Sequence, residues 1–599
     1  MRRSHDIPFG AEYLGDGRTR FTIRAPAAGS VDLVLERGFE PMERGDDSIF
    51  TLTTGAAPGA RYRYRIDGGQ DFPDPTPRYQ PEDVHGPSVV VDPGAFDWRD
   101  EDWKGRPWHE TVLYELHVGT FSPEGTFAGV EKRLDYLVDL GVTAIELMPL
   151  SDFPGRRNWG YDGVLPYAPD SSYGTPEGLK SLVRAAHGQG LSIFLDVVYN
   201  HFGPEGNYLP AYAPDFFTER HETPWGAAVN FDGAGSHYVR EFFVHNALYW
   251  LEEYHMDGLR LDAVHAIKDD SEKHFLVELA ERIRSGPGKN RHVHLVLENE
   301  ENQSSLLRPD GLYDAQWNDD VHHALHTALS GEDASYYADY ADAPLRHLGR
   351  CLAEGFAYQG EISDHRGNER GEPSADLCPA SFVAFLQNHD QIGNRAFGER
   401  ITALASPEAV RAAAAIYLLS PQVPMLFMGE EWAASAPFLF FCDFEEDLAP
   451  LVTEGRREEF AKFPEFSDPA TRERIPDPSD EKTFVSSKLD WQEQKEPEHA
   501  GWLRLYRELL ALRKEKIASR LANAPGGEAE YRLVGERGLE ARWRLGDGSR
   551  FSLLANLGDE SLGGFEEPEE GPLYATGIPA NGGELPAWSV AWYLLSNDE

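Results

Sequence analysis

Four apolar runs in this chain end in charged or hydrogen-bonding residues. Leu191–Val198 runs into Asp196-Val197-Val198-Tyr199-Asn200-His201, and Gly258–Val264 carries Arg260 and Asp262 and is followed by His265. Val293–Leu297 ends at Glu298, and Phe382–Leu386 leads to Asn388-His389-Asp390. A carboxylate inside an apolar run is costly unless it is paired, so these groups form a buried charge network, perform chemistry, or both. Arg260 and Asp262 are two residues apart, which puts both side chains on one face of a strand. With Asp196 from a neighbouring strand they would form a network in which the arginine keeps Asp262 ionised, as a nucleophile must be. Glu298 follows a run that is apolar except for His294. Desolvation there would hold it protonated, as a general acid requires. Two carboxyl groups in unlike surroundings are the usual equipment for breaking a glycosidic bond. The plain alternative is a set of salt bridges with no chemistry.

These residues need elements to position them. From about Thr111, apolar strand-like runs alternate with helical patterns: Val112–Val118, Val142–Met148, Leu191–Val198, Gly258–Val264, Val293–Leu297, Phe382–Leu386 and Val423–Phe427 are the strands. Helical faces recur between them, for example Val239, Phe243, Ala247, Trp250, Leu251 and Tyr254. Continuous apolar strands alternating with helices imply a parallel sheet covered by helices, and the length favours an α/β fold of the (β/α)8 TIM barrel type over residues 110–517. In such a barrel the active site lies where the strands end, which is where the four clusters fall. A short inserted loop spans 201–236, and the Pro-rich, charged stretch from about Ala433 to Glu498 is expected as a long connection at the barrel mouth. No glycine-rich phosphate loop follows a strand, which weighs against a nucleotide fold.

Short strands precede and follow the barrel. The alternation in Arg61-Tyr62-Arg63-Tyr64-Arg65-Ile66 marks a half-buried strand, and residues 1–95 read as an N-terminal, immunoglobulin-like β-sandwich. Residues 525–599 read as a C-terminal β domain. A chain of 599 residues is too long for one core. Its net charge of −45 repels polyanions, so neither nucleic acid nor an anionic membrane is an expected partner. Three cysteines without a CxxC pair argue against a disulfide framework. The start Met1-Arg2-Arg3 has no apolar stretch behind it, and no run of about 18 apolar residues occurs, so a cytoplasmic protein is expected. His322, His323 and His326 share a helix but lack the partners of a zinc motif, and no metal or cofactor is expected.

The segments DVVYNH (196–201), GLRLDAVH (258–265), Glu298 in LVLENE, and FLQNHD (385–390) resemble, in order, the sequence regions of the α-amylase family of glycoside hydrolases. The resemblance implies a retaining enzyme with Asp262 as nucleophile, Glu298 as acid/base and Asp390 as the carboxylate that grips the sugar. Arg260 would orient Asp262, His201 and His389 would bind hydroxyls in the −1 subsite, and Tyr161 would stack on that sugar. His265 stands where many α-amylases have lysine. Trp225 and Trp317, among the aromatics read as lying in long loops with Tyr336, Tyr337, Phe356 and Tyr358, are candidate sugar platforms. Asn200 matches a calcium-ligand position of the family, but one such residue falls far short of the 6–8 oxygens a hard cation takes.

Within the family, FPGRRNWGYDG (153–163), FGPEGNYL (202–209), WGAAVNFDG (225–233), YDAQWNDD (313–320) and FLFFCDF (438–444) resemble the maltooligosyltrehalose trehalohydrolases. The resemblance implies a maltooligosyltrehalose substrate, cleavage next to its terminal trehalose, and a maltooligosyltrehalose synthase as functional partner. The segments 201–236 and 336–358 are the expected places for trehalose recognition. A 1,4-α-glucan branching enzyme is the alternative within the same family.

Overall fold

The computed structural model describes residues 3–308, 312–445, 447–463, 466–577 and 583–596; the basic start at Met1 and Arg2 lies outside them. Eight parallel strands close a barrel: β1 (Leu113–Leu116), β2 (Ala144–Leu147), β3 (Ser192–Val197), β4 (Gly258–Leu261), β5 (His294–Leu297), β6 (Ala315–Trp317), β7 (Phe382–Phe385) and β8 (Val423–Phe427). Seven of them lie inside the apolar runs read from the sequence. The sixth was missed, because three residues, Ala315-Gln316-Trp317, are too few to show a pattern.

Every residue of β1, β2, β4 and β5 is buried, since one face meets the packed barrel interior and the other the surrounding helices. The helices are amphipathic on that account. Pro176–Gly188 buries Leu179, Leu182, Val183 and Ala186, is capped by the Thr175 side chain accepting from the Gly178 N–H, and has proline in its first turn. The helix Ser236–Glu252 stops just short of Tyr254, which is nonetheless buried against it. The stretch after Ala433 is not a plain connection. It forms the helices Ala449–Phe460, Pro469–Arg472 and Glu481–Ser486.

Ahead of the barrel, two antiparallel sheets are built, one from Gly10–Gly15, Arg18–Arg24, Ile49–Gly55 and Glu43–Arg44, the other chiefly from Gly38–Pro41, Val31–Leu35, Arg61–Ile66 and Asp71–Phe72. Their buried side chains include Phe21, Ile23, Leu33, Tyr62 and Tyr64. Arg78 and Glu253, buried and hydrogen-bonded, tie this part to the barrel. After the barrel comes a five-stranded antiparallel sheet formed by Ala529–Val534, Gly538–Arg544, Arg550–Asn556, Tyr574–Ala575 and Ser589–Leu595. Two indoles fix it to the barrel helices: Trp592 donates to the Ala415 carbonyl at 3.0 Å and Trp543 to that of Leu352 at 2.9 Å. Among the described residues no helix is long and apolar enough to cross a membrane.

Candidate active site

β4 ends at Leu261, so Arg260 points into the barrel and Asp262 sits on the first residue of the following turn. The next residue, Ala263, has a φ of 41°, a left-handed conformation that a residue with a Cβ adopts at some cost. That turn brings the Ala263 N–H onto Glu298 Oε2 at 2.6 Å, and the Val264 N–H onto the Glu298 carbonyl at 3.0 Å. The two loops carrying Asp262 and Glu298 are thereby fastened to each other.

Arg260 holds the centre. Its Nη1 donates to Asp262 Oδ1 at 2.7 Å and to Asp196 Oδ2 at 2.8 Å, and its Nη2 lies 3.6 Å from Glu298 Oε2. The guanidinium is fully buried and lies over the Trp317 ring, 4.1 Å from its centroid. Asp196 also accepts from the Tyr161 hydroxyl at 2.6 Å. Burial pushes the Asp196 carboxyl up to about 7, even against the pull of Arg260.

The two central carboxyls part in the directions their roles would need. Burial works against a charge on Asp262, but Arg260, His201 and the Asn200 amide outweigh it and hold the carboxyl below its ordinary value. Asn200 Nδ2 donates to Asp262 Oδ2 at 2.9 Å and to the Asp262 carbonyl at 2.9 Å, so this amide is spent on the Asp262 loop. Burial raises Glu298, and the Asp262 charge adds to the rise while Arg260 reduces it.

Asp390 stands at the mouth, with its side chain 46% exposed, on the short helix His389–Gly393 whose capping box is built by Asn388 and Gln391. Asn394 Nδ2 donates to it at 3.2 Å, and His389 Nε2 lies 3.5 Å from it. The His389 ring is stacked on Tyr161, centroids 5.1 Å apart. A cavity of about 500 Å³ opens from Glu298 and Asp390, walled further by Trp317, Asp319, His323 and Tyr336.

The remaining residues singled out in the sequence are near this centre in different ways. His201 Nε2 donates to the Tyr161 carbonyl at 3.0 Å, and the ring lies parallel to Trp225, with centroids 4.5 Å apart; Trp225 is 47% exposed. His265 pairs with Glu300, two residues beyond Glu298, at 3.2 Å. Trp317 is not a loop aromatic. It ends β6, is 1% exposed, and one face is covered by Arg260. Of the other aromatics read as lying in long loops, Tyr337, Phe356 and Tyr358 are buried, and Tyr336 is the one with substantial exposure. His322, His323 and His326 lie on the helix Asp319–Ser330.

Two residues of the site escaped the sequence reading. Asp319 lines the cavity, and burial together with the Glu298 charge pushes its carboxyl up to about 8. Its signal, an acidic pair at the start of a helix, was that of an ordinary N-terminal turn. Glu115 of β1 accepts from the backbone N–H of His389 at 3.2 Å and contacts the ring Nδ1 at 2.5 Å. Its signal was there: one carboxylate in the apolar run Val112–Val118.

With this geometry in view, comparison with known proteins is informative. Residues 91–223 match the alpha amylase catalytic domain, and residues 526–592 match a domain described as being of unknown function. The chain is similar to a malto-oligosyltrehalose trehalohydrolase from Deinococcus radiodurans, 45% identical over 91% of this chain and 89% of the relative. A crystal structure from Salmonella typhimurium named as an alpha amylase superposes with a TM-score of 0.94 at 45% identity, covering 99% of this chain and 100% of its own. A 1,4-alpha-glucan branching enzyme from Pseudoalteromonas atlantica is 32% identical over 41% of this chain and 38% of the relative.

Proposed function

The chain belongs to the malto-oligosyltrehalose trehalohydrolases of the α-amylase family of glycoside hydrolases, and from that premise we propose that it cleaves the α-1,4 bond beside the terminal trehalose of maltooligosyltrehalose, using Asp262, Glu298 and Asp390. Asp262 attacks the anomeric carbon of the sugar on the non-reducing side, and the bond to O4 of trehalose breaks. Glu298 gives its proton to that oxygen, and trehalose leaves. Water then attacks the same carbon, Glu298 takes its proton, and the maltooligosaccharide departs with its original α configuration. Asp390 holds sugar hydroxyls, and with the other carboxylates it stabilises the positive charge that develops on the ring. A synthase that turns the reducing-end linkage of a glucan into trehalose would supply the substrate.

The observation that carries the roles is the single buried guanidinium of Arg260, bonded to Asp262 and facing Glu298. It explains how one acid changes function within a cycle. While Asp262 is charged, its negative field helps Glu298 keep a proton. Once Asp262 is esterified that field is gone, Arg260 dominates, and Glu298 becomes the stronger acid and hence the base for water.

Incubation with maltotriosyltrehalose and with maltopentaose, with chromatography of products, tests the substrate. Trehalose and maltotriose should form from the first far faster than any product from the second. Equal cleavage of both would reduce the reading to general amylase activity, and new branch points would point to transfer. The pH profile tests the roles. kcat/KM should be bell-shaped, its acid limb set by Asp262 losing its proton below the usual carboxylate range and its alkaline limb by Glu298 losing one above 4.5. Glu298→Gln should remove the alkaline limb along with most of the turnover; a profile with that limb intact would take the acid role from Glu298.

A further inference from the structure

Beneath the sugar-binding end of the site lies a layer of buried carboxyls that the reaction does not consume. Glu115 and Glu146 are cross-strand neighbours in the β1–β2 register, each 1% exposed. Their environments differ. Both oxygens of Glu146 lack a hydrogen-bond partner, and burial, with Glu115 and Asp196 nearby, pushes its carboxyl well above the usual range, so it stays neutral. Glu115 spends both oxygens on one residue, His389: Oε2 on the backbone N–H and Oε1 on the ring.

We propose that Glu115 is a positioning residue of the −1 subsite: it turns Nδ1 of His389 inward and keeps Nε2 a hydrogen-bond donor toward Asp390 and the bound sugar. This rests on the reading of Asp390 as the sugar-gripping carboxylate. With Nδ1–H committed to Glu115, a proton lost from His389 comes from Nε2. The edge facing Asp390 at 3.5 Å then becomes a lone pair, which repels the carboxylate and accepts where it had donated. The groups facing this ring are Asp390 on its own helix, Glu115, Glu146 and Asp196 from β1 to β3, Arg260 from β4, and His117 and Tyr161 from the loops. Burial disfavours the imidazolium, but Asp390 and Glu115 outweigh it and push the ring up to about 9.

Binding measured without turnover isolates this group. In a Glu298→Gln background, calorimetric affinity for maltotriosyltrehalose should fall on the alkaline side near the His389 titration. Glu115→Gln keeps a carbonyl acceptor for Nδ1–H but removes the charge, and should move that fall down by about 1–3 pH units, the usual effect of one nearby charge. An unmoved midpoint overturns the proposal. If the Glu115→Gln chain does not fold, His389→Gln in the same background decides: the alkaline fall should vanish, and its persistence also overturns the proposal. Absence of binding with Glu115 and His389 intact would instead count against the substrate reading itself.

Discussion

Asp262→Ala should lower kcat on maltotriosyltrehalose by about four orders of magnitude or more while the chain remains folded. Two faults combine. The β face of the anomeric carbon loses its nucleophile, so the first bond to carbon cannot form. Glu298 also loses the negative neighbour that helps it keep a proton, while Arg260 remains 3.6 Å away, so the acid ionises more readily. The fold should survive because Arg260 keeps Asp196 at 2.8 Å and its seat on Trp317. Trehalose release gives the rate, and circular dichroism with a melting curve gives the fold. Azide supplies the sharper check. A small anion in the space left by the carboxylate should attack the same carbon from the same face and yield a β-glycosyl azide, the inverted product. Near-normal turnover in the folded variant, or rescue giving only the α product, would remove Asp262 from the role.

Much of this site could be read from the chain because its chemistry is locally conspicuous. Arg260 and Asp262 stand in a run of apolar residues, and the barrel geometry requires such residues to face one another. The same test, applied evenly, would have found Glu115 and Glu146, each a lone carboxylate between apolar neighbours. They were passed over because nothing polar follows them at the strand end except His117, and a strand-interior carboxyl shows its partner only in three dimensions. Trp317 was misplaced for a different reason. β6 is three residues long, and Gln316 interrupts the apolar pattern, so the segment reads as loop. The helices after Ala433 were hidden by proline and charge, which here mark helix starts, as Pro450 and Pro469 do in the first turns of two of them. Which of Tyr336, Tyr337, Phe356 and Tyr358 are buried could not be read from the chain, because an aromatic ring in a long loop is as useful for packing that loop as for binding sugar, and sequence does not separate the two uses.

The largest effect expected on stability lies far from the chemistry. Arg78→Ala should destabilise the protein by about 3–5 kcal/mol, the cost of removing one member of a buried ion pair. Arg78 donates through Nε to both oxygens of Glu253 at 3.1 and 3.2 Å, through Nη2 to Glu253 at 3.1 Å and to the His5 carbonyl at 2.9 Å, and through Nη1 to the Ala11 carbonyl at 3.1 Å. Alanine leaves those two carbonyls without this donor. It also leaves Glu253, 1% exposed, with Lys180 at 3.5 Å and the His5 N–H at 3.2 Å as its remaining support. The penalty arises from the stranded carboxylate more than from the lost attraction, and this can be separated experimentally. Replacing all three charges, Arg78→Met and Glu253→Met together with Lys180→Met, because the buried Lys180 ammonium would otherwise lose Glu253 in its turn, removes the charge that alanine strands, so the triple variant should be more stable than Arg78→Ala although it has lost more hydrogen bonds. Urea midpoints followed by tryptophan fluorescence provide the comparison, and limited proteolysis shows whether residues before the barrel are released first. Equal midpoints for the parent and Arg78→Ala would mean that the Arg78–Glu253 pair adds nothing to the hold of the sheets on the barrel. A triple variant weaker than the single one would mean that the charge cluster is itself a net source of stability.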